Sequence, residues 1–100
     1  MLWQPDIIAQ VTLLPTFEGG RKSATPSNYF GCPLGFENEY FDVRLDLSEV
    51  GSVAPGDTVR VPAKFVCPDL IKSRLSVGSI FILWEGKKIG EGKVLEVINI

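Results

Sequence analysis

The chain contains no histidine. That absence removes Ser-His-Asp and Cys-His nucleophilic sites, and with them the commonest zinc ligand. Cysteine is nearly as scarce, with Cys32 and Cys67 alone. They lack the CxxC spacing that marks a metal site. Two thiols far apart in sequence, with no secretory leader in view, are expected to stay reduced. Long apolar runs are missing too. The longest, Ile80 to Trp84, is far too short to span a bilayer. The start, Met1-Leu2-Trp3-Gln4-Pro5-Asp6, has no basic n-region. Together these readings predict a soluble, cytoplasmic protein without a membrane segment.

Neither sign of charge dominates. Ten Lys+Arg stand against twelve Asp+Glu, for a net charge of −2. Such a balance predicts no strong, sequence-independent pull on phosphate backbones, and so no DNA partner. What the chain does have is apolar residues, 45% against 22% charged. One hundred residues suffice for one core and not two, so residues 1–100 are read as a single domain.

Those apolar residues alternate. Ile7, Ala9, Val11 and Leu13 share one face of a segment, as do Phe41, Val43, Leu45 and Leu47 of a second. Val59, Val61, Ala63, Phe65 and Cys67 share a face of a third. A period of two predicts half-buried strands. Cys67, on that inward face, is expected to be a buried, inert thiol. Gly78 to Trp84 reads as a more deeply buried strand, and Ile89 to Ile98 as the last one. Gly90 and Gly92 interrupt that last strand and predict a bulge or a close backbone approach. Pro62 predicts an edge or a bulge in the third strand. Pro68 to Leu75 has room for one helical turn. Turn chemistry recurs at Glu18-Gly19-Gly20, Thr25-Pro26-Ser27-Asn28, Pro55-Gly56-Asp57 and Glu85-Gly86-Lys87. The expected fold is all-β, with five or six strands in a closed barrel or a sandwich. Thr16 to Leu34 reads as the longest irregular stretch and a candidate functional loop.

Gly19-Gly20-Arg21-Lys22-Ser23 falls short of a phosphate loop, because Arg21 stands where the second glycine is required. Gly90-Glu91-Gly92 lies inside a strand pattern and not at a strand-to-helix turn, which removes a dinucleotide role. Asp42 and Asp46, separated by Arg44, read as a solvated face with cross-strand pairing. No nucleophile, base or metal set is recognisable. No catalytic residue, metal ligand or cofactor is therefore assigned, and the chain is read as a non-enzyme. The basic residues fall in three places, Arg21-Lys22, Lys72 with Arg74, and Lys87-Lys88 with Lys93; they are either ordinary solubilising charge or, if the first and third converge, one small positive patch. Tyr29 and Phe30 would then be exposed aromatics beside it, a combination compatible with RNA backbone contacts.

Several of these segments, in order, resemble the C-terminal β-barrel domain of elongation factor Tu and its relatives. The segment Ile7 to Leu14, followed by Phe17-Glu18-Gly19-Gly20-Arg21, is similar to the strand and Glu-Gly-Gly-Arg loop that open that barrel. Pro55-Gly56-Asp57 resembles its Pro-Gly-Asp turn, and Cys67-Pro68 its His-Pro or Lys-Pro strand end. Gly78 to Gly86, followed by Ile89-Gly90-Glu91-Gly92-Lys93-Val94, resembles its closing hairpin. The likeness runs from Asp6 to Ile98. It implies a six-stranded antiparallel closed barrel, and contact positions at Arg21, Lys22, Glu85 and Gly86 for the T-stem of tRNA. This sequence departs from the pattern at Cys32-Pro33-Leu34-Gly35-Phe36, where the family carries Arg-Pro-Gln-Phe, and Glu37 and Glu39 follow with repulsive charge. The GTPase domain and second barrel are not in the chain. The expectation is a stand-alone binding module that engages a protein, with a translation GTPase as the implied partner. A tRNA- or RNA-binding module is the alternative. A small-ligand carrier or small enzyme using the barrel mouth is the third reading.

Overall fold

The computed structural model describes residues 4–98. Six strands form it: β1 (Ile7–Leu13), β2 (Tyr29–Phe36), β3 (Glu39–Asp46), β4 (Thr58–Phe65), β5 (Ile80–Trp84) and β6 (Lys88–Val97). They close into a barrel in the order β1-β4-β3-β2-β5-β6, every neighbour antiparallel. Closure leaves no long free edge on a chain too small to cover one otherwise.

Antiparallel alternation divides the connections between two ends. Residues 14–28, 47–57 and 85–87 lie at one end, which we call the head. Residues 37–38 and 66–79 lie at the other, the tail.

The period-two pattern governs the interior. β1 alternates buried and half-buried side chains along its whole length. Its inward residues join Leu34, Val43, Leu45, Val61, Ala63, Phe65, Phe81, Leu83, Ile89 and Val94 in one core. Leu47, Val53 and Phe30 close the head, while Ile71 and Leu75 of the β4–β5 connection are buried at the tail. At the head the cavity among Val11, Leu13, Phe30, Leu45 and Val53 measures ≈ 10 Å³, space for about one water.

Glycine makes the closing seam possible. An added Cβ on Gly92 would lie 2.5 Å from the Gln10 carbonyl oxygen and 2.6 Å from Phe81 Cζ. One on Gly90 would lie 2.8 Å from the Thr12 carbonyl oxygen. The interruption of the last strand is thus a close approach of β6 to β1. Pro62 faces Ile8 of β1, and the β3–β4 ladder ends at Ala63. The proline ring therefore breaks no ladder on that side. Pro55-Gly56-Asp57 forms the expected turn, with Gly56 at φ +93° and the Asp57 N–H donating to the Ala54 carbonyl at 3.0 Å.

Five expectations need correction. Gly78 to Trp84 is not a deeply buried strand: β5 spans Ile80–Trp84 with only Phe81 and Leu83 buried, and Ile80 is 64% exposed. The irregular stretch ends at residue 28, because Tyr29–Phe36 is β2. Its pairing with β3 runs through a two-residue turn, Glu37-Asn38, with φ of +50° and +64°. Phe30 is buried, at 5% exposure, because it points inward from β2 opposite Leu45. Cys67 is exposed and Cys32 is the buried thiol. β4 stops at Phe65, so the alternation does not reach Cys67, which instead precedes a 3₁₀ turn at Pro68–Leu70. Both cysteines are free. Asp46 is buried and accepts from the Ser48 N–H at 3.0 Å and its hydroxyl at 2.6 Å, so Asp42 and Asp46 do not share a solvated face.

Candidate interaction site at the barrel head

The loop 14–28 leaves β1 at Leu14 and turns at once. Residues Thr16–Glu18 form a 3₁₀ turn, and Gly19 follows at φ +91°. Gly20 packs so closely on the Leu14 carbonyl that any Cβ there would collide with it. Its N–H donates to the Pro15 carbonyl at 3.0 Å, and the Thr16 hydroxyl donates to the Arg21 carbonyl at 2.6 Å. Farther along, Thr25 anchors the loop to the β3–β4 connection. Its N–H donates to the Val53 carbonyl at 3.0 Å, and its hydroxyl oxygen accepts from the Val53 N–H at 2.9 Å. The loop is thus fixed by hydrogen bonds within itself and by longer-range ones, Thr25 to Val53 and the Leu14 N–H to the Ile89 carbonyl at 2.9 Å.

The fixed loop meets the β5–β6 turn. Arg21 Nη1 donates to both carboxylate oxygens of Glu85, each at 2.6 Å. Arg21 Nε donates to the Ser23 carbonyl at 3.2 Å, and its guanidinium lies 4.9 Å from the Phe30 ring centre. Lys87 Nζ donates to the Gly20 carbonyl at 3.3 Å. Gly86, at φ +72°, completes the turn, and the Glu85 N–H donates to the Lys87 carbonyl at 2.8 Å. The two basic segments seen in the sequence therefore converge.

Convergence changes their chemistry. Arg21 is held by a carboxylate and an aromatic face instead of pointing to solvent. Lys88 pairs with Glu91 at 3.1 Å. Among the described residues, Lys22 makes no ion pair. Tyr29 is half exposed, while Phe30 serves as the floor under Arg21. Behind this surface, burial pushes the Cys32 thiol from its ordinary 9.0 up to about 12, and the Glu85 charge adds to the effect. Cys32 is thus no nucleophile at neutral pH.

Sequence reasoning passed over one prominent residue. Phe17 stands on the 3₁₀ turn with 87% of its surface exposed. The signal was an aromatic inside an otherwise polar turn. No helix among the described residues is long and apolar enough to cross a membrane. No group of three or more Cys, Asp or Glu side chains among them could hold a metal ion.

No protein-family model matches the chain, and comparison with curated proteins gives no match.

Proposed function

We propose that this barrel is a non-catalytic, cytoplasmic protein-binding module that works through its head. The recognising surface is the Arg21–Glu85 pair with Lys22, Tyr29, Gly86, Lys87 and Lys88. The observation that carries this reading is the double engagement of Arg21 by Glu85. An arginine whose Nη1 is held by an internal carboxylate and whose Nε is held by a carbonyl has less to offer a phosphate. What remains is a surface of both signs around the half-exposed Tyr29, an aromatic of the kind enriched in protein contacts. The resemblance to the C-terminal barrel of elongation factor Tu supplies the partner class, a translation GTPase.

RNA binding is the second reading. It is favoured by the gathering of Lys22, Lys87 and Lys88 at one end of the barrel. Calorimetric titration separates the two. The barrel is titrated with a purified translation GTPase and, separately, with tRNA at about 50 and 200 mM salt, a range over which phosphate contacts weaken steeply. Saturable heat with the GTPase at both salts is expected, and none with tRNA. Salt-steep binding of tRNA alone replaces the protein reading with the RNA one. Silence in both titrations removes the head as a translation-factor surface.

A further inference from the structure

Residues 66–79 join β4 to β5 across the tail of the barrel. Among the described residues, their backbone is hydrogen-bonded to the strands only at its two ends. The Val66 N–H donates to the Asp42 carbonyl at 3.0 Å, and the Gly78 N–H donates to the Val94 carbonyl at 2.8 Å. Between those ends the bonds stay inside the segment. The N–H groups of Leu70, Ile71, Arg74 and Leu75 donate to the carbonyls of Cys67, Pro68, Ile71 and Lys72. The segment is therefore held down by side chains. Ile71 and Leu75 are buried beneath it. Lys72 reaches Asp6 at 3.4 Å, and Arg74 reaches Glu37 at 3.0 Å and Glu39 at 2.5 Å. The Arg74 guanidinium also lies 5.5 Å from the Phe41 ring centre and 5.8 Å from that of Phe36.

Breaking these ties leaves no charge buried without a partner. When Lys72 leaves, Asp6 keeps the Phe65 N–H at 2.9 Å and Lys64 at 3.3 Å. When Arg74 leaves, Glu37 and Glu39 are already more than half exposed to water. The heavy penalty of an uncompensated buried charge is thus absent from both anchors. Ile71 and Leu75 are uncovered, while the inward side chains of the six strands still pack on one another. Segments with few buried apolar contacts and only local hydrogen bonds are those that open first.

We propose that residues 67–77 are a strap that opens as one unit from a barrel that stays closed. Its hinges are Val66 and Gly78, the latter at φ +93°, where glycine turns freely. Its latches are Arg74 on the β2–β3 hairpin and Lys72 on Asp6. The open state presents Ile71, Leu75 and the tail mouth of the barrel, an apolar face that the latched molecule hides. The strap lies at the end opposite the head, so this goes beyond the partner proposed above and does not rest on it.

Native-state amide hydrogen exchange in rising, sub-denaturing urea tests the strap. The amides of Ile71, Arg74 and Leu75 are expected to share one protection factor with a shallow urea dependence. The amides of β1, which is paired on both sides, are expected to follow global unfolding with the full slope. Thr25→Ala loses the bond to the Val53 N–H at the head, so it lowers β1 protection about tenfold and leaves the strap unchanged. Arg74→Gln and Lys72→Gln each lower the protection of all three strap amides several-fold, because each releases the whole unit. Strap amides that share the β1 urea slope, or that lose protection in Thr25→Ala, leave only when the barrel unfolds and overturn the proposal. So do strap amides that respond one at a time, or that ignore both latch variants.

Discussion

Arg21 and Glu85, sixty-four positions apart, meet with one guanidinium nitrogen 2.6 Å from both carboxylate oxygens. The pair ties the long β1–β2 loop to the turn between β5 and β6, above the ring of Phe30. It is both a structural clasp and the reason the head is less basic than its sequence suggests.

Removing the clasp has a graded cost. Arg21 is mostly buried and Glu85 is nearly half exposed, so solvent screens the pair. Arg21→Ala loses the ion pair, the contact with Phe30 and the packing of its stem, for about 1–2 kcal/mol in total. Glu85→Gln costs about 0.5 kcal/mol, since the amide keeps one acceptor. Urea denaturation of the three proteins checks the order.

Glycines at the seam and at the loop are predicted to be irreplaceable for a steric reason. Gly92→Ala drives a methyl into the Gln10 carbonyl and the Phe81 ring, and costs about 3 kcal/mol or more. Gly20→Ala meets the backbone of Leu14 and does the same. Gly31→Ala is the control. Its nearest neighbour would be 3.8 Å away, so its midpoint stays within about 0.5 kcal/mol of wild type.

Much of the fold was legible because period two survives in β1, β3 and β4. β2 was not legible. Its sequence, Tyr29-Phe30-Gly31-Cys32-Pro33-Leu34-Gly35-Phe36, places two glycines and a proline where a strand prefers branched residues. Its turn is Glu37-Asn38, without the Asn-Gly or Asp-Gly that marks a tight hairpin. Eight ladder pairs with β3 override those local preferences. The site was half legible. Arg21 and Lys87 could be named from their loops, but the partner that takes Arg21 is a long-range neighbour. Cys67 went astray because alternation says nothing about where a strand stops.

Asp6 is a buried carboxylate that accepts from the Phe65 N–H at 2.9 Å and pairs with Lys64 at 3.3 Å and Lys72 at 3.4 Å. It joins β4 to the tail connection. Asp6→Ala leaves a buried N–H without a partner, and a loss of about 1–3 kcal/mol is expected. Asp6→Asn retains that acceptor and loses less. Thermal denaturation of both variants separates the hydrogen bond from the charge.

The two thiols should behave oppositely. Iodoacetamide at pH 8 is expected to modify the exposed Cys67 and leave Cys32 untouched until the chain unfolds, as read by mass spectrometry. Cys32 also makes stability depend on pH. The folded protein holds the Cys32 proton up to about 12, whereas the unfolded chain releases it near 9.0. Between those values the unfolded state binds fewer protons, so stability falls as pH rises, by at most about 1.4 kcal/mol per pH unit from this group. Cys32→Ala removes that part of the slope, and denaturation curves between pH 8 and pH 11 should diverge accordingly.

The proposed recognition of a protein by the head can be followed residue by residue. Titrating the ¹⁵N-labelled barrel with a purified translation GTPase tests it most directly, amide by amide. The signals of Tyr29, Glu85, Gly86, Lys87 and Lys88 are expected to shift or broaden while those of the β2–β3 hairpin hold still. Signals that stay fixed with the GTPase, or that move only when tRNA is added, would contradict it.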